Sequence, residues 1–287
     1  MKNLSLSYWL GKMLCNIRTP QIVHFNSGLG NQIFQYMFYC WLCRNKHRKK
    51  IYGYYNKKWL QQHNGLEIHK VFDIQLPPST KYSDFIAFVC RALHRLDKKG
   101  IFFSSDDNFN PSSIYFSGYW QDKKFYINEK FSLRFRNVEL NKQNSDIKQL
   151  ILKTNSVSLH VRRGDYLQPV IFSKMGNICT KEYYSEAMKI INEKMETPVY
   201  FIFSDDCDWA KKNLFAERIY YVDWNIGTNS FIDMYLMSLC KGHIIANSSF
   251  SYWGAYLSQK NVVTVYPKRW YNDAPSPDIA ANSWISI

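Results

Sequence analysis

Short apolar runs alternate with segments of helical length through the second half of the chain. These runs are rich in β-branched and aromatic residues, as strands are. They are "SVSLHVR" (156–162), "PVYFIFS" (198–204), "RIYYV" (218–222), "HIIA" (243–246) and "VVTVYP" (262–267). The helix candidates between them span 181–194, 207–213, 230–240 and 247–258. Such alternation indicates βαβ units, so we predict a parallel sheet with right-handed crossovers.

The first half of the chain is less regular. "IVHFN" (22–26) and "IYGYY" (51–55) predict strands, and an almost continuously apolar run at 32–44 predicts a helix between them. Residues 60–112 show no clear period, and "IYFSGYW" (114–120) is again strand-like. The order of the strands does not follow from these patterns.

Length and one polar stretch indicate two domains. At 287 residues the chain is long for one domain and comfortable for two. Its 46% hydrophobic and 17% aromatic content supports a packed core and argues against disorder. Because "NKQNSD" (141–146) is typical of a boundary, we predict α/β domains at 1–150 and 151–287.

The charge balance is strongly basic. The 37 Lys and Arg residues exceed the 23 Asp and Glu residues by 14, which favours nucleic acid, a nucleotide or an anionic membrane as partner. Seven cysteines without regular spacing indicate a reducing compartment. "CWLC" (40–43) is interpreted as core thiols, since no second pair completes a zinc site. No segment approaches the ~20 apolar residues of a membrane span.

Two adjacent arginines follow a predicted strand in "SLHVRRGDYL" (158–167). Arg162 and Arg163 fall at the carboxyl end of that strand, where open α/β sheets bind ligands. Guanidinium groups grip phosphate oxygens in a fork, so one interpretation is a diphosphate site. A nucleic-acid-binding surface is a second interpretation. A third pairs one arginine with Asp165 and leaves the other solvated. Asp165 either orients an arginine, which we favour, or acts as a catalytic base.

A second candidate site is "ANSSFSYWG" (246–254), which follows a strand and opens a helix. The N–H groups at a helix N-terminus bind phosphate, and Asn247, Ser248, Ser249 and Ser251 add side-chain donors. Ordinary N-capping by Asn247 or Ser248 is the alternative.

A third candidate is the glycine turn in "FNSGLGNQIFQ" (25–35). Such a turn brings backbone amides close to a ligand, but the spacing lacks the third glycine of a dinucleotide fingerprint.

The acidic stretch "FSDDCD" (203–208) contains a D-x-D spacing that holds a divalent metal in some nucleotide-sugar enzymes. Two arginines aimed at the same diphosphate reduce the need for metal charge. Asp205, at the end of its strand, is equally suited to accept hydrogen bonds from a base or ribose. We therefore predict no metal site.

Taken together, four blocks resemble the α-1,2-fucosyltransferases of glycosyltransferase family 11 in their bacterial form. The blocks occur in order and cover most of the chain. They are "GLGNQIFQYMFY" (28–39), "HVRRGDY" (160–166), "FSDD" (203–206) and "DMYLMSLCKGHIIANSSFSYWGAYLS" (233–258).

The resemblance implies a GT-B-like fold, with two Rossmann-like domains and a cleft between them. It implies an inverting transfer of L-fucose from GDP-β-L-fucose to the 2-hydroxyl of a galactose in a surface glycan such as a lipopolysaccharide or capsule. The donor would bind mainly to the C-terminal domain, without an obligatory cofactor or metal.

The resemblance also implies roles for individual residues. Arg162 and Arg163 would hold the diphosphate and stabilise the departing GDP, while Asn31 would approach the reacting centre. Asp165 completes the predicted catalytic set. The predicted substrate-binding residues are Gly28, Gly30, Gln32, His160, Ser204, Asp205, Asn247, Ser248, Ser249, Phe250 and Ser251. Among them, His160 and Asp205 would contact guanine or ribose.

The partners implied are GDP-fucose and a galactose-terminated oligosaccharide, lipid-linked in one version of the hypothesis. We predict a cytoplasmic enzyme, with peripheral contact to the anionic inner face of a bacterial membrane through Trp9 and "RNKHRKK" (44–50). A solvated helix end is the alternative for that basic run. The competing functions are transfer of another GDP-linked sugar on the same scaffold, and nucleic-acid binding, for which no motif is present.

Overall fold

The computed structural model describes residues 19–45, 50–61, 63–97, 100–127 and 133–287, apart from the side chain of Trp59. They form two compact units, which divide between Arg134 and Phe135. Trp9 and most of the basic run at 44–50 lie outside the described residues, so the membrane contact predicted there stays a prediction. No helix in the described part of the chain is long and apolar enough to cross a bilayer.

A parallel four-stranded sheet forms the centre of the first unit, in the order β2-β1-β4-β3. Its strands are β1 (Gln21–Phe25), β2 (Ile51–Tyr55), β3 (Phe103–Ser104) and β4 (Tyr115–Phe116). Its helices are α1 (Leu29–Asn45), α2 (Lys57–Leu60), α3 (Ile68–Val71) and α4 (Lys81–Leu93). Helix α4 packs on β2 and β4 and buries Ile86, Ala87 and Cys90 against the sheet.

The second unit has a parallel six-stranded sheet in the order β10-β9-β8-β5-β6-β7. Its strands are β5 (Ser156–Val161), β6 (Val199–Ser204), β7 (Ile219–Val222), β8 (Gly242–Ile244), β9 (Val263–Tyr266) and β10 (Ile285–Ser286). Its helices are α5 (Lys142–Lys153), α6 (Pro169–Met175), α7 (Lys181–Lys194), α8 (Cys207–Asn213), α9 (Phe231–Ser238) and α10 (Ser249–Tyr256). The α/β class with parallel sheets is confirmed.

The order of these six strands reverses at one point. Counted from β5, the sheet runs 3-2-1-4-5-6, which is the doubly wound order of dinucleotide-binding folds. The reversal lies between β5 and β8, where consecutive crossovers leave to opposite sides. A crevice forms outside the carboxyl ends of the strands at such a switch point, and ligands bind there.

Helix α5 shows why the predicted boundary at residue 150 differs from the division at residue 134. The Asn141 side chain caps this helix by accepting a 2.9 Å hydrogen bond from the N–H of Asn144. The polar stretch at 141–146 is therefore the cap and first turn of a helix rather than a linker. Because α5 packs on β5, this segment belongs to the second unit.

A network of amide groups connects α5 to the segment after β7. Asn144 and Asn225 exchange two side-chain hydrogen bonds of 2.8 and 3.0 Å, and Trp224 Nε1 donates to Asn144 Oδ1 at 2.9 Å. Asn225 Nδ2 also donates to Asp233 Oδ1, at 2.7 Å. Burial raises the pKa of Asp233 to about 7, although the Asn225 donor opposes that shift. The folded protein therefore retains a proton that the unfolded chain releases near pH 4.

Asp233→Asn should make the protein more stable above pH 7 and change little near pH 4. A carboxyl whose pKa is raised by folding costs stability progressively as the pH rises from its unfolded pKa to its folded pKa. Between pH 5 and pH 8 we expect the free-energy difference between variant and native protein to grow by roughly 2–3 kcal/mol.

Urea unfolding at pH 5 and at pH 8 measures this difference in the free energy of unfolding. Asp223→Asn is the matched control, since the Asp223 side chain is exposed and only pairs with Lys211. A difference for Asp233→Asn that stays constant with pH would show that Asp233 is ionised throughout.

Candidate functional site

The switch point brings together two of the predicted motifs. Strands β5 and β8 are neighbours, with Leu159 paired to Ile244, so Arg162 and Asn247 each lie three residues beyond that pair. The two loops are also bonded directly, since the Tyr166 hydroxyl donates to the Asn247 carbonyl at 2.9 Å. The arginine turn and the loop that opens α10 therefore form the two walls of one crevice.

Arg162 lies between two carboxylates. Its Nη2 is 2.9 Å from Asp165 Oδ1, and its Nη1 is 3.0 Å from Asp205 Oδ2. Burial works against the charge on this guanidinium, but the two carboxylates outweigh it and raise the pKa of Arg162. The ring of Tyr166 lies 5.7 Å from the guanidinium carbon. Both ends of the Arg162 fork are thus occupied within the protein. The ion pair with Asp165 is compatible with the orienting role that we favoured, which stays a prediction.

Arg163 is held differently. Its Nε lies 3.0 Å from Asp206 Oδ2, and the guanidinium stacks over the ring of Trp209 at 4.5 Å. Among the residues that the structure describes, none bonds to its terminal nitrogens Nη1 and Nη2. A guanidinium fixed at Nε and along one face presents its two terminal nitrogens as a fork, the geometry that binds phosphate oxygens.

The Asp205 carboxylate fixes the shape of the turn. Its Oδ1 accepts the backbone N–H of Arg163 at 2.8 Å, while its Oδ2 faces Arg162. Gly164 makes this approach possible, because a Cβ there would lie 2.9 Å from Asp205 Oδ2. The predicted contact of Asp205 with a base or ribose stays untested, and the geometry favours a positioning role.

The neighbouring end of β6 uses its polar groups to start α8. Ser204 Oγ accepts the N–H of Asp206 at 2.9 Å, and Asp206 Oδ1 accepts the N–H of Trp209 at 3.1 Å as the N-cap. Ser204, predicted to bind substrate, therefore stabilises the turn that carries Asp205 and Asp206. No three His, Cys, Asp or Glu side chains within the described ranges converge as a set of metal ligands. The predicted metal independence stays a prediction.

His160 is a buried, neutral imidazole at the end of β5. Burial, together with the neighbouring charge of Arg162, lowers the pKa of His160 to about 3. Its ring lies 5.8 Å from that of Phe250, which places a residue of each wall in contact. In the described structure its buried Nδ1 has no hydrogen-bond partner. The predicted contact of His160 with guanine or ribose stays a prediction.

The loop before α10 divides its polar groups between structure and crevice. Asn247 Nδ2 donates to the carbonyls of Met175 and Trp270, each at 3.1 Å, and Ser251 Oγ donates to the carbonyl of Ser248 at 3.2 Å. These two side chains are buried and hold the loop, so the geometry does not favour their predicted role as ligand donors.

Ser248 and Ser249 are placed differently from Asn247 and Ser251. Ser248 occupies the N-cap position of α10 but makes no side-chain cap hydrogen bond, and Ser249 is partly exposed. Capping by Asn247 or Ser248 side chains, the ordinary alternative, is therefore not what the structure shows. The Ser249 hydroxyl and the first N–H groups of α10 remain available for an anion, whereas the Ser248 side chain is buried.

The glycine turn in the first unit is built around a glutamine. Gln32 Nε2 donates to the carbonyls of Ser27 and Gly65, each at 2.8 Å. Its Oε1 accepts the N–H groups of Glu67 and Ile68 at 2.9 and 3.1 Å. The amide of Gln32 is fully used, and the side chain is completely buried, so the geometry favours a structural role over its predicted substrate contact.

Asn31 is a partly exposed polar residue of that turn, as is Ser27. The Asn31 Oδ1 accepts one hydrogen bond, from Gln121 Nε2 at 3.0 Å. Gly28 supplies the carbonyl that accepts the Asn31 N–H, and Gly30 is buried in the first turn of α1. The left-handed residue of the turn is Ser27, with φ of 63°, rather than either glycine. The predicted catalytic role of Asn31 stays a prediction.

Sequence reasoning did not select Asp233 or Trp209. Asp233 lies in the first turn of α9, and burial raises its pKa to about 7. Trp209 provides the surface on which Arg163 stacks. Asp233 is the first residue of the longest block that resembles the family, and this position was the sequence signal that could have selected it. Trp209 had none.

The arginine turn and its neighbouring acids carry no net positive charge. Arg162 and Arg163 are balanced by Asp165, Asp205 and Asp206, so the five side chains carry one net negative charge when all are ionised. Binding of an anion must therefore use directed hydrogen bonds rather than net charge. The fork of Arg163 and the N-terminus of α10 are the groups that provide them.

A groove of about 720 Å³ lies at the opposite, amino edge of the same sheet. It is bordered by residues before β6 and β7, including Pro198 and Arg218, and by one side of α7. It contains none of the predicted site residues, so the chemistry of this unit is concentrated at the carboxyl edge.

The chain matches the model of "Glycosyl transferase family 11" over residues 18–287. It is 34% identical to an α-1,2-colitosyltransferase of Escherichia coli over 287 aligned residues, covering 93% of this chain and 98% of that protein. It is 29% identical to galactoside α-(1,2)-fucosyltransferase 1 of Saimiri boliviensis boliviensis over 109 residues, covering 37% of this chain and 30% of that protein.

Among solved structures, one similar chain is the NodZ α-1,6-fucosyltransferase soaked with GDP-fucose. The TM-score is 0.48 and the identity 13%, over 83% of this chain and 92% of that one. This likeness is too low to add to what the sheets of the chain itself show. The family match, which spans nearly the whole chain, and the E. coli relative are sufficient to assign it. The chain belongs to glycosyltransferase family 11.

Proposed function

We propose that the protein transfers L-fucose from GDP-β-L-fucose to the 2-hydroxyl of a galactose, forming an α-1,2 linkage with inversion. The observation that carries the proposal is the fork of Arg163 at the switch point, beside the N-terminus of α10. Family membership and the α-1,2-specific relatives support the type of linkage.

The arrangement suits a reaction in which a nucleoside diphosphate departs. Cleavage of the fucosyl–phosphate bond leaves an oxocarbenium-like sugar and moves negative charge onto the β-phosphate. Donors fixed where that charge develops stabilise the transition state more than the ground state. Arg163 is fixed by Asp206 and Trp209 before the substrate arrives, so little reorganisation is needed at the moment of reaction.

The acceptor hydroxyl must lose a proton during the transfer. A carboxylate is the ordinary general base. Asp165 is paired with Arg162, so we assign it an orienting function, and Asn31 has no titratable group. The base therefore stays unassigned among the predicted residues.

A second donor is favoured by one specific observation. The relative that aligns over almost the whole chain is an α-1,2-colitosyltransferase. Colitose is L-fucose without its 3-hydroxyl, so a phosphate site alone does not distinguish the two donors. The nucleotide-linked form of colitose is thus the alternative donor, with the same linkage to galactose.

Incubation with a panel of β-galactosides in the presence of EDTA tests the function. We expect a product that carries fucose α-1,2-linked to galactose, identified by mass and linkage analysis. Direct competition between GDP-fucose and GDP-colitose then ranks the donors. Preference for colitose would replace fucose in the proposal, and activity that appears only after Mn²⁺ is added would reject metal independence.

Arg163→Lys should lower kcat about 100-fold, as removal of one fixed donor to a developing charge does in other enzymes. An ammonium group cannot reproduce a fork that is bound at Nε and stacked on Trp209. Arg218→Lys is the control, because Arg218 is exposed at the opposite edge of the same sheet. A folded Arg163→Lys variant with near-native kcat would remove Arg163 from the mechanism.

Gly164→Ala should weaken GDP binding about tenfold or more while changing the stability by less than about 1 kcal/mol. The added Cβ would approach Asp205 Oδ2 to 2.9 Å, and a flexible carboxylate moves away easily. That movement would release the N–H of Arg163 and the side chain of Arg162 together. Calorimetric titration with GDP measures the effect, and unchanged affinity would show that Asp205 does not set the geometry of the turn.

A further inference from the structure

Helix α4 in the first unit presents aromatic side chains to solvent. Tyr82, Phe85 and Phe88 are 60%, 63% and 64% exposed, although each is large and apolar. The opposite face of the helix is buried against the sheet through Ser83, Ile86, Ala87 and Cys90. Three large side chains of this helix are therefore exposed in the described structure, in addition to the residues that pack on the sheet.

The capping of the first turn fixes the rotation of the helix about its axis. These aromatic residues therefore face outwards in a defined orientation. Thr80 and Ser83 form a reciprocal capping box at its start, with a 3.1 Å hydrogen bond from the Ser83 N–H to Thr80 Oγ1. At about 100° per residue, Phe85 and Phe88 lie roughly 60° apart, close to the point opposite the buried face. The outermost strip of the unit at this helix is thus a pair of phenylalanines.

Cations border this strip at both ends of the helix. Lys81 begins α4, and Arg95 follows within the turn after it; both are exposed. Asp84, the acidic residue of this face, accepts a hydrogen bond from Ser79 Oγ at 2.9 Å. Exposed aromatic residues flanked by Lys and Arg are typical of helices that lie in the interface of a bilayer.

The charge of the whole chain is concentrated in the same unit. Residues 1–134 contain 20 Lys and Arg against 8 Asp and Glu, a net charge of +12. Residues 135–287 contain 17 against 15, a net charge of +2. A basic unit with an aromatic outer face complements an anionic lipid surface, because the charge draws it to the headgroups and the aromatic rings enter the boundary below them.

From these observations we infer that the outer face of α4, formed by Tyr82, Phe85 and Phe88 between Lys81 and Arg95, docks on an anionic lipid bilayer. Through this face, helix α4 lies on the surface of the bilayer. This face differs from the basic run at 44–50 to which sequence reasoning assigned the contact. It does not depend on which sugar the enzyme transfers.

Co-sedimentation of the full chain with phosphatidylcholine vesicles, with and without about 30% phosphatidylglycerol, tests the inference. We expect binding to the anionic vesicles at low ionic strength, weakened in roughly 0.5 M salt, where the Debye length is only a few ångströms. Binding that is equal on neutral vesicles, or absent on both, would overturn the inference.

The double variant Phe85→Ser and Phe88→Ser should lower binding to anionic vesicles at least about tenfold, since it removes most of the apolar surface of the face. Phe215→Ser is the matched control, because Phe215 is 71% exposed and lies in the other unit. Lys81→Gln with Arg95→Gln should reduce binding to the anionic vesicles and make the remaining binding less sensitive to salt.

Two results with the double variant would contradict the inference. Unchanged vesicle binding would place the contact elsewhere on the chain. Sedimentation velocity provides the second result: a dimer of the native chain that dissociates in the double variant, together with no vesicle binding, would identify this face as a contact between copies. Circular dichroism checks that the variants remain folded, which their exposed positions favour.

Discussion

The Asp205 carboxylate sets the conditions for the rest of the site, because it holds the backbone of one arginine and the side chain of the other. Two adjacent guanidinium groups repel each other, and a turn of this kind would open without opposite charge nearby. Asp205, Asp165 and Asp206 provide that charge, and Gly164 leaves the room that Asp205 needs. The turn is thus assembled before any diphosphate arrives. A neutralised cluster then attracts its ligand through aligned donors rather than through a long-range field, which makes binding sensitive to geometry.

The order of the strands decides which loops can cooperate with this turn. Arg162 and Asn247 are far apart in the sequence. Their strands are nevertheless neighbours, because the order of the strands reverses between β5 and β8. The hydrogen bond from Tyr166 to the Asn247 carbonyl then holds both loops at a fixed separation. Helix α10 begins immediately afterwards, so its free N–H groups face the same crevice. Without this reversal β5 and β8 would not be neighbours, and the two motifs would lie further apart along the carboxyl edge of the sheet.

The local pattern of apolar residues predicted the helices and strands whose formation depends on neighbouring residues. The alternation of apolar runs predicted α7 and α8 with their correct bounds, and it placed the arginines at the carboxyl end of β5. The functions of Asn247 and Gln32 could not be predicted in this way. Their amides are bonded to Trp270 and Glu67, and such partners are known only once the chain has folded. The same holds for Asp233, whose pKa follows from its enclosure. Helix α4 was missed although its buried residues Ser83, Ile86, Ala87 and Cys90 follow a helical spacing.

The net charge of +14 had suggested one anionic partner, but the folded chain separates it into two features of different origin. The unit with the arginine turn has almost no excess charge, and the turn itself is balanced by its own acids. The excess lies in the unit that carries the exposed aromatic face of α4. A nucleotide site therefore does not account for the basic composition, because the arginines of that site are balanced by neighbouring acids and add nothing to the net charge. Composition instead reflects the surface of the first unit, where the excess of cations acts over a distance and the aromatic rings act on contact.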